Sequence, residues 1–102
     1  MRQTDFKKML EKQVGYEIFS VKVHDYLVST NNKRKTKERW SNLKVENKAT
    51  EMWESLVEKM YAQLDSSIDC NKYNREEKWN EFIEQNEIIV DFNESISDME
   101  FE

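Results

Sequence analysis

The chain has 102 residues, 16 Lys or Arg against 21 Asp or Glu, and a formal net charge of −5. That length holds one domain. With a mean hydropathy of −0.98, it contains no apolar run approaching the ~20 residues that span a bilayer. It is 12% aromatic, which speaks against a disordered chain, because disordered segments lack the large side chains that offset chain entropy. A core this small leaves a modest margin of stability that self-association or a partner would complete.

There is no proline and one glycine, Gly15. Glycine-rich phosphate and dinucleotide loops are therefore ruled out, and turns fall to Gly15 or to Asn and Asp. Cys70 is the sole cysteine, so no intramolecular disulfide forms, and a reducing, cytoplasmic setting is expected. Arg2, Asp5, Lys7 and Lys8 occupy the place where a signal peptide would begin its apolar run.

In chain order, Thr4 is expected to cap a first helix carrying Phe6, Met9 and Leu10 on one side, with Gly15 as its stop. The run 15–29 has two readings. As a strand, Phe19, Val21 and Val23 alternate with Ser20, Lys22 and His24. As a helix, Tyr16, Phe19, Val23, Tyr26 and Leu27 share a face while Ile18, Val21 and Val28 lie opposite, implying burial on two sides. The polar tail Ser29–Asn32 favours the helix. A short helix is expected over 33–44, loosening at 46–48.

The clearest element begins at Thr50, read as its cap. Met52, Trp53, Leu56, Val57, Met60, Tyr61 and Leu64 recur at helical spacing, with Glu51, Glu54, Ser55, Glu58 and Lys59 on the other side. A polar joint follows at 65–73. Asn74 and Glu77 then have the spacing of a reciprocal capping box ahead of Trp79, Phe82 and Ile83. Ile88, Ile89, Val90 and Phe92 are β-prone and suggest a short edge strand. The segment 93–102 alternates acids with Ile96, Met99 and Phe101, the pattern of a fold-on-binding tail or a last packed strand. The expected fold is one mainly α domain of three to five helices over 1–92, with an acidic-hydrophobic tail over 93–102. Its core would be Trp53, Leu56, Val57, Met60, Trp79, Phe82 and Ile83. The alternative is an α+β fold with a minor two-stranded sheet from about 17–24 and 87–92.

Charge is unevenly spread. Residues 1–50 hold twelve basic and six acidic side chains, a formal +6, and residues 51–102 hold four basic and fifteen acidic, a formal −11. The plain reading is two solvated faces that attract each other weakly when the halves fold together. Two functional readings compete with it. Lys33, Arg34, Lys35, Lys37 and Arg39 form a basic run that can contact nucleic-acid phosphates, with Trp40 beside it to stack a base. An indole at helical spacing to Leu43 is more often core, however, and a pI near 5.0 argues against a dedicated nucleic-acid binder. In the second reading Glu76, Glu77, Glu81, Glu84, Glu87, Asp91, Glu94 and Asp98 imitate a phosphate path for a protein that expects DNA or RNA. An acidic face that only aids solubility is the alternative.

No enzyme constellation stands out. One His and one Cys cannot build a usual zinc site, and a Cys70–His24 nucleophile pair has no supporting motif. Glu77, Glu81 and Glu84 share a helix face that suits solvent better than a hard cation. No cofactor is implied. The expected function is a small non-enzymatic, protein-binding inhibitor in the style of a phage or mobile-element accessory protein, such as an anti-restriction or anti-CRISPR nucleic-acid mimic. Its acidic half would enter the basic groove of a nuclease or defence effector. A nucleic-acid-binding accessory factor using 33–39 is the runner-up, and a structural or assembly chaperone module docking through its tail is a third class.

Overall fold

Phe6 and Leu10, one turn apart, are fully buried and define α1 (Gln3–Glu11) in a computed structural model that describes residues 1–101. The chain breaks at Lys12 and Gln13 and resumes as α2 (Val14–Asn32), which buries Gly15, Phe19, Val23 and Leu27 at strict four-residue intervals. After a connection containing a 3-10 turn at Thr36–Glu38, α3 (Asn42–Ser67) runs unbroken for 26 residues, about 39 Å at 1.5 Å per residue. A second broken rod follows, α4 (Arg75–Gln85) and α5 (Ile88–Asp98). The mainly α expectation holds: five helices and no strand are present among the described residues.

Side-chain contacts give the direction of each rod. Tyr61 donates to the Met1 carbonyl, Glu54 pairs with Lys7, Trp53 donates to Glu11, and the Phe19 and Trp53 rings lie 5.3 Å apart. Rising numbers on α1–α2 thus meet falling numbers on α3, and the two rods are antiparallel. Trp79 packs on Phe6, Gly15 donates to Asn93, and Lys22 reaches the carbonyls of residues 96–99. The α4–α5 rod therefore runs parallel to α1–α2. The result is a three-rod bundle in which two rods are interrupted and one is continuous. It measures 55 × 24 × 20 Å with a radius of gyration of 16.4 Å, against about 13 Å for a compact domain of this length.

The core runs the length of the bundle. Phe6, Tyr61 and Trp79 cluster at one end; Phe19, Trp53 and Phe92 fill the middle; Leu27 and Val45 lie toward the other end. Burying a side chain of this size stabilises by roughly 1.5–3 kcal/mol relative to exposure. Of the expected core, Trp53, Val57, Trp79 and Ile83 are buried, and Leu56, Met60 and Phe82 pack half-buried against them.

Several local expectations are corrected. Gly15 does not stop α1 but sits in the first turn of α2, with no positive φ. No helix spans 33–44: Arg39 adopts extended backbone, and Ser41 caps α3 by accepting from the Lys44 N–H at 3.2 Å. Thr50 is therefore interior to α3, its hydroxyl bonded to the Glu46 carbonyl. Asn74 begins α4 as expected, but its side chain accepts from the Asn71 N–H instead of capping the helix. The two-stranded sheet does not form, because Ile88, Phe92 and Ile96 follow helical spacing and pack as a helix face, which overrides β propensity. The division expected between residues 92 and 93 falls inside α5, and Asn93 to Asp98 are helical.

Candidate partner-binding surface

The acids of the second half are sorted by helical geometry. On α5, Glu87, Asp91, Glu94 and Asp98 stand at i, i+4, i+7 and i+11. At 100° per residue they fall within about 60° of the circumference, on the side away from Phe92 and Ile96, over roughly 16 Å of axis. All four are exposed. On α4, Glu77, Glu81 and Glu84 form a second stripe opposite Trp79 and Ile83. Residues 75–98 carry eight acids and two cations.

Little of this charge is neutralised. Glu76 is one exception, 2.6 Å from the N-terminal amine, and Glu81 is another, approached by Lys78 at 3.6 Å. Among the described residues, Glu77, Glu84, Glu87, Asp91, Glu94 and Asp98 form no ion pair. Lys7–Glu54 is the one side-chain pair joining elements of the two halves, so the basic and acidic halves do not cancel across an interface.

The stripe is held rigidly at both ends of α5. Glu87 opens the helix in the left-handed region, at φ 51 and ψ 41, which turns the rod between α4 and α5. At the other end Lys22 Nζ donates to the carbonyls of Ile96, Ser97 and Met99 at 3.0, 2.7 and 2.7 Å. That ammonium offsets the negative end of the helix dipole where Asp98 adds a further negative charge. Beside the stripe, Leu56, Met60 and Leu64 of α3 and Ile88 and Met99 of the α5 rod line an apolar groove of about 280 Å³ with Asp91 on its rim.

The basic run is built differently. Lys33 ends α2, Lys35 and Lys37 project from the 3-10 turn, and all three are exposed. Arg39 is spent on its own loop, donating to the carbonyls of Arg34 and Asn32. Asn31 accepts from the Trp40 N–H at 2.8 Å and donates to its carbonyl at 3.0 Å. The Trp40 ring is half-buried against the core, with Arg34 4.4 Å and Lys44 4.9 Å from its centroid. Lys33, Lys35 and Lys37 are thus exposed in and beside the loop while Arg34, Arg39 and Trp40 hold it in shape.

His24 and Cys70 are set apart. His24 lines a cleft with Glu46 and Ala49, whereas Cys70 follows the far end of α3, some 20 residues or about 30 Å along the rod. At that end Arg75 donates to the Tyr61 hydroxyl and to Asp65, and both bonds raise the guanidinium pKa above its ordinary value. Sequence reasoning missed Lys22, Asn31 and Asn93 as positioning residues, because their partners are backbone groups or lie 74 to 78 residues away for Lys22 and Asn93. Ser41 could have been found, since a hydroxyl residue directly preceding a helical segment is a cap signal. Comparison with protein-family models, with curated proteins and with solved structures found no match.

Proposed function

We propose that the chain is a non-enzymatic inhibitor that binds a nucleic-acid-handling protein, placing the α4–α5 rod in that protein's basic groove. The observation that carries this reading is the stripe Glu87, Asp91, Glu94 and Asp98: exposed, one-sided and without an ion pair among the described residues, the Lys22 ammonium at its end being bonded to backbone carbonyls. Like charges four residues apart destabilise a helix by a few tenths of a kcal/mol per pair. A helix serving only solubility does as well with both signs interspersed. A one-sided row of carboxylates on a rigid helix instead presents a charge path to a groove lined with Lys and Arg.

The test is a variant in which Glu81, Glu84, Glu87 and Asp91 become Gln or Asn. At ~0.7 kcal/mol for each of four charges, affinity for the partner falls about 100-fold, and wild-type affinity falls as salt rises. Normal binding and inhibition by this variant would sink the proposal. The second reading rests on Lys33, Lys35 and Lys37, exposed on one loop. A mobility-shift titration separates the two: nucleic acid retarded by the chain, and released when these lysines become Gln, supports direct binding to nucleic acid.

A further inference from the structure

α2 carries two apolar faces, and the bundle covers one fully and the other in part, with Ile18 and Val28 half-buried against the core. Phe19, Val23 and Leu27 enter the core. On the opposite side Val14, Ile18, Val21 and Val28 recur at intervals of four, three and seven residues, which places them in one row about 21 Å long with coiled-coil spacing. Val14 is 56% exposed and Val21 61%. Val90 of α5, one turn before the Asn93 that accepts from Gly15, is 49% exposed. Isolated exposed valines are ordinary, but here Val14 and Val21 stand exposed in a row with heptad spacing along one helix, a seam that the bundle covers only in part.

Acids flank this row along its middle, and Lys33 lies beside Asp25 and Val28 at its far end. Asp25 takes the seam position four residues after Val21, Glu17 flanks it, and Glu94 follows Asn93 on the neighbouring helix. Lys22, the cation within the span, has its ammonium tied to three backbone carbonyls. His24 lines both the cleft toward α3 and a shallow cleft with Asp25 and Val28. A second copy of the chain does not suit the row. Parallel pairing sets Asp25 against Asp25, and antiparallel pairing centred on Val21 sets Val14 against Val28 but Glu17 against Asp25. Both arrangements bring like charges together.

We propose that this row docks an amphipathic helix of a partner protein, with apolar residues at matching spacing and Lys or Arg opposite Glu17, Asp25 and Glu94. This surface goes beyond the α4–α5 reading: its apolar row lies on α2, and it shares only Glu94 with the acidic stripe.

The probe is a fluorescent helical peptide of about 21 residues, long enough to hold three heptads. It carries leucines at the seam positions and flanking lysines, and a twin carries glutamates in their place. Titrated against the whole chain, the lysine peptide binds at least ~10-fold more tightly than its twin. Val21→Asn weakens it about 10-fold, with an unchanged thermal melt because Val21 is exposed, and Asp25→Lys shifts preference toward the glutamate peptide. The variant neutralised at Glu81, Glu84, Glu87 and Asp91 still binds the peptide, so failure here and failure of the α4–α5 reading are distinguishable. The proposal is overturned by equal binding of the two peptides, by no binding, by wild-type affinity in Val21→Asn, or by a homodimer in sedimentation equilibrium that Val21→Asn dissolves.

Discussion

Gly15 has no left-handed backbone to serve; its value lies in what it lacks. A Cβ there would stand 2.6 Å from Asn93 Oδ1 and 2.9 Å from Phe92 Cε1, and the Gly15 N–H donates to that same Oδ1 at 2.9 Å. Gly15→Ala gains about 1 kcal/mol of helix propensity but forces α5 outward and breaks the hydrogen bond. The net expectation is a loss of about 1–2 kcal/mol in denaturant unfolding. Removing the Asn93 side chain as well relieves the closest contact, so Gly15→Ala costs less in an Asn93→Ala background. Equal costs in the two backgrounds would show that this contact is not what limits the packing. Glu87 presents the opposite case, a side chain where glycine is favoured. At φ 51 a non-glycine residue carries about 1 kcal/mol of strain, so Glu87→Gly raises stability by about 0.5–1 kcal/mol. An unchanged or lowered melting temperature would contradict this.

At the scale of elements, Lys22 ties α2 to the end of α5. Lys22→Met keeps the aliphatic stem and removes three bonds to backbone carbonyls. The expected cost is about 1–3 kcal/mol, with hydrogen exchange accelerating in the last turn of α5 before it does so in α3. Uniform acceleration would mean that the lysine holds the bundle as a whole and not that end. The same elements show how far the sequence could be read. The α3 stripe was plain because seven apolar residues face one way and polar residues the other. α2 was ambiguous for a physical reason: with apolar residues on two sides, its pattern fits strand alternation nearly as well as a helix. Ile88–Ile89–Val90 has high β propensity, whereas Ile88, Phe92 and Ile96 stand at helical spacing, and packing of that face decides the outcome. For the acidic surface, its composition was apparent but its arrangement was not, because the one-sided stripe exists only if residues 88–98 form one helix. The basic run concealed its structural members, since the Arg39 and Asn31 bonds are to backbone groups that no residue pattern reports.

Over the whole molecule, the bundle is a narrow rod with its lysine-bearing loop at the junction of α2 and α3 and its carboxylates along α4 and α5. Lys7–Glu54 and the pair between the N-terminal amine and Glu76 are the ion pairs that link distant elements of the two halves among the described residues. The field of the acidic rod is thus left largely unscreened by the chain's own cations. A groove that holds nucleic acid is itself long, narrow and basic, and the proposed function places the rod in such a groove. The most direct measurement is a competition titration. The partner captured on the chain from its native host is loaded with fluorescent nucleic acid, and the chain is then added at increasing concentration. The expected result is displacement of the nucleic acid, weaker at higher salt and reduced about 100-fold in the Glu81, Glu84, Glu87 and Asp91 variant. A ternary complex that keeps its nucleic acid, or displacement undiminished in that variant, would contradict it.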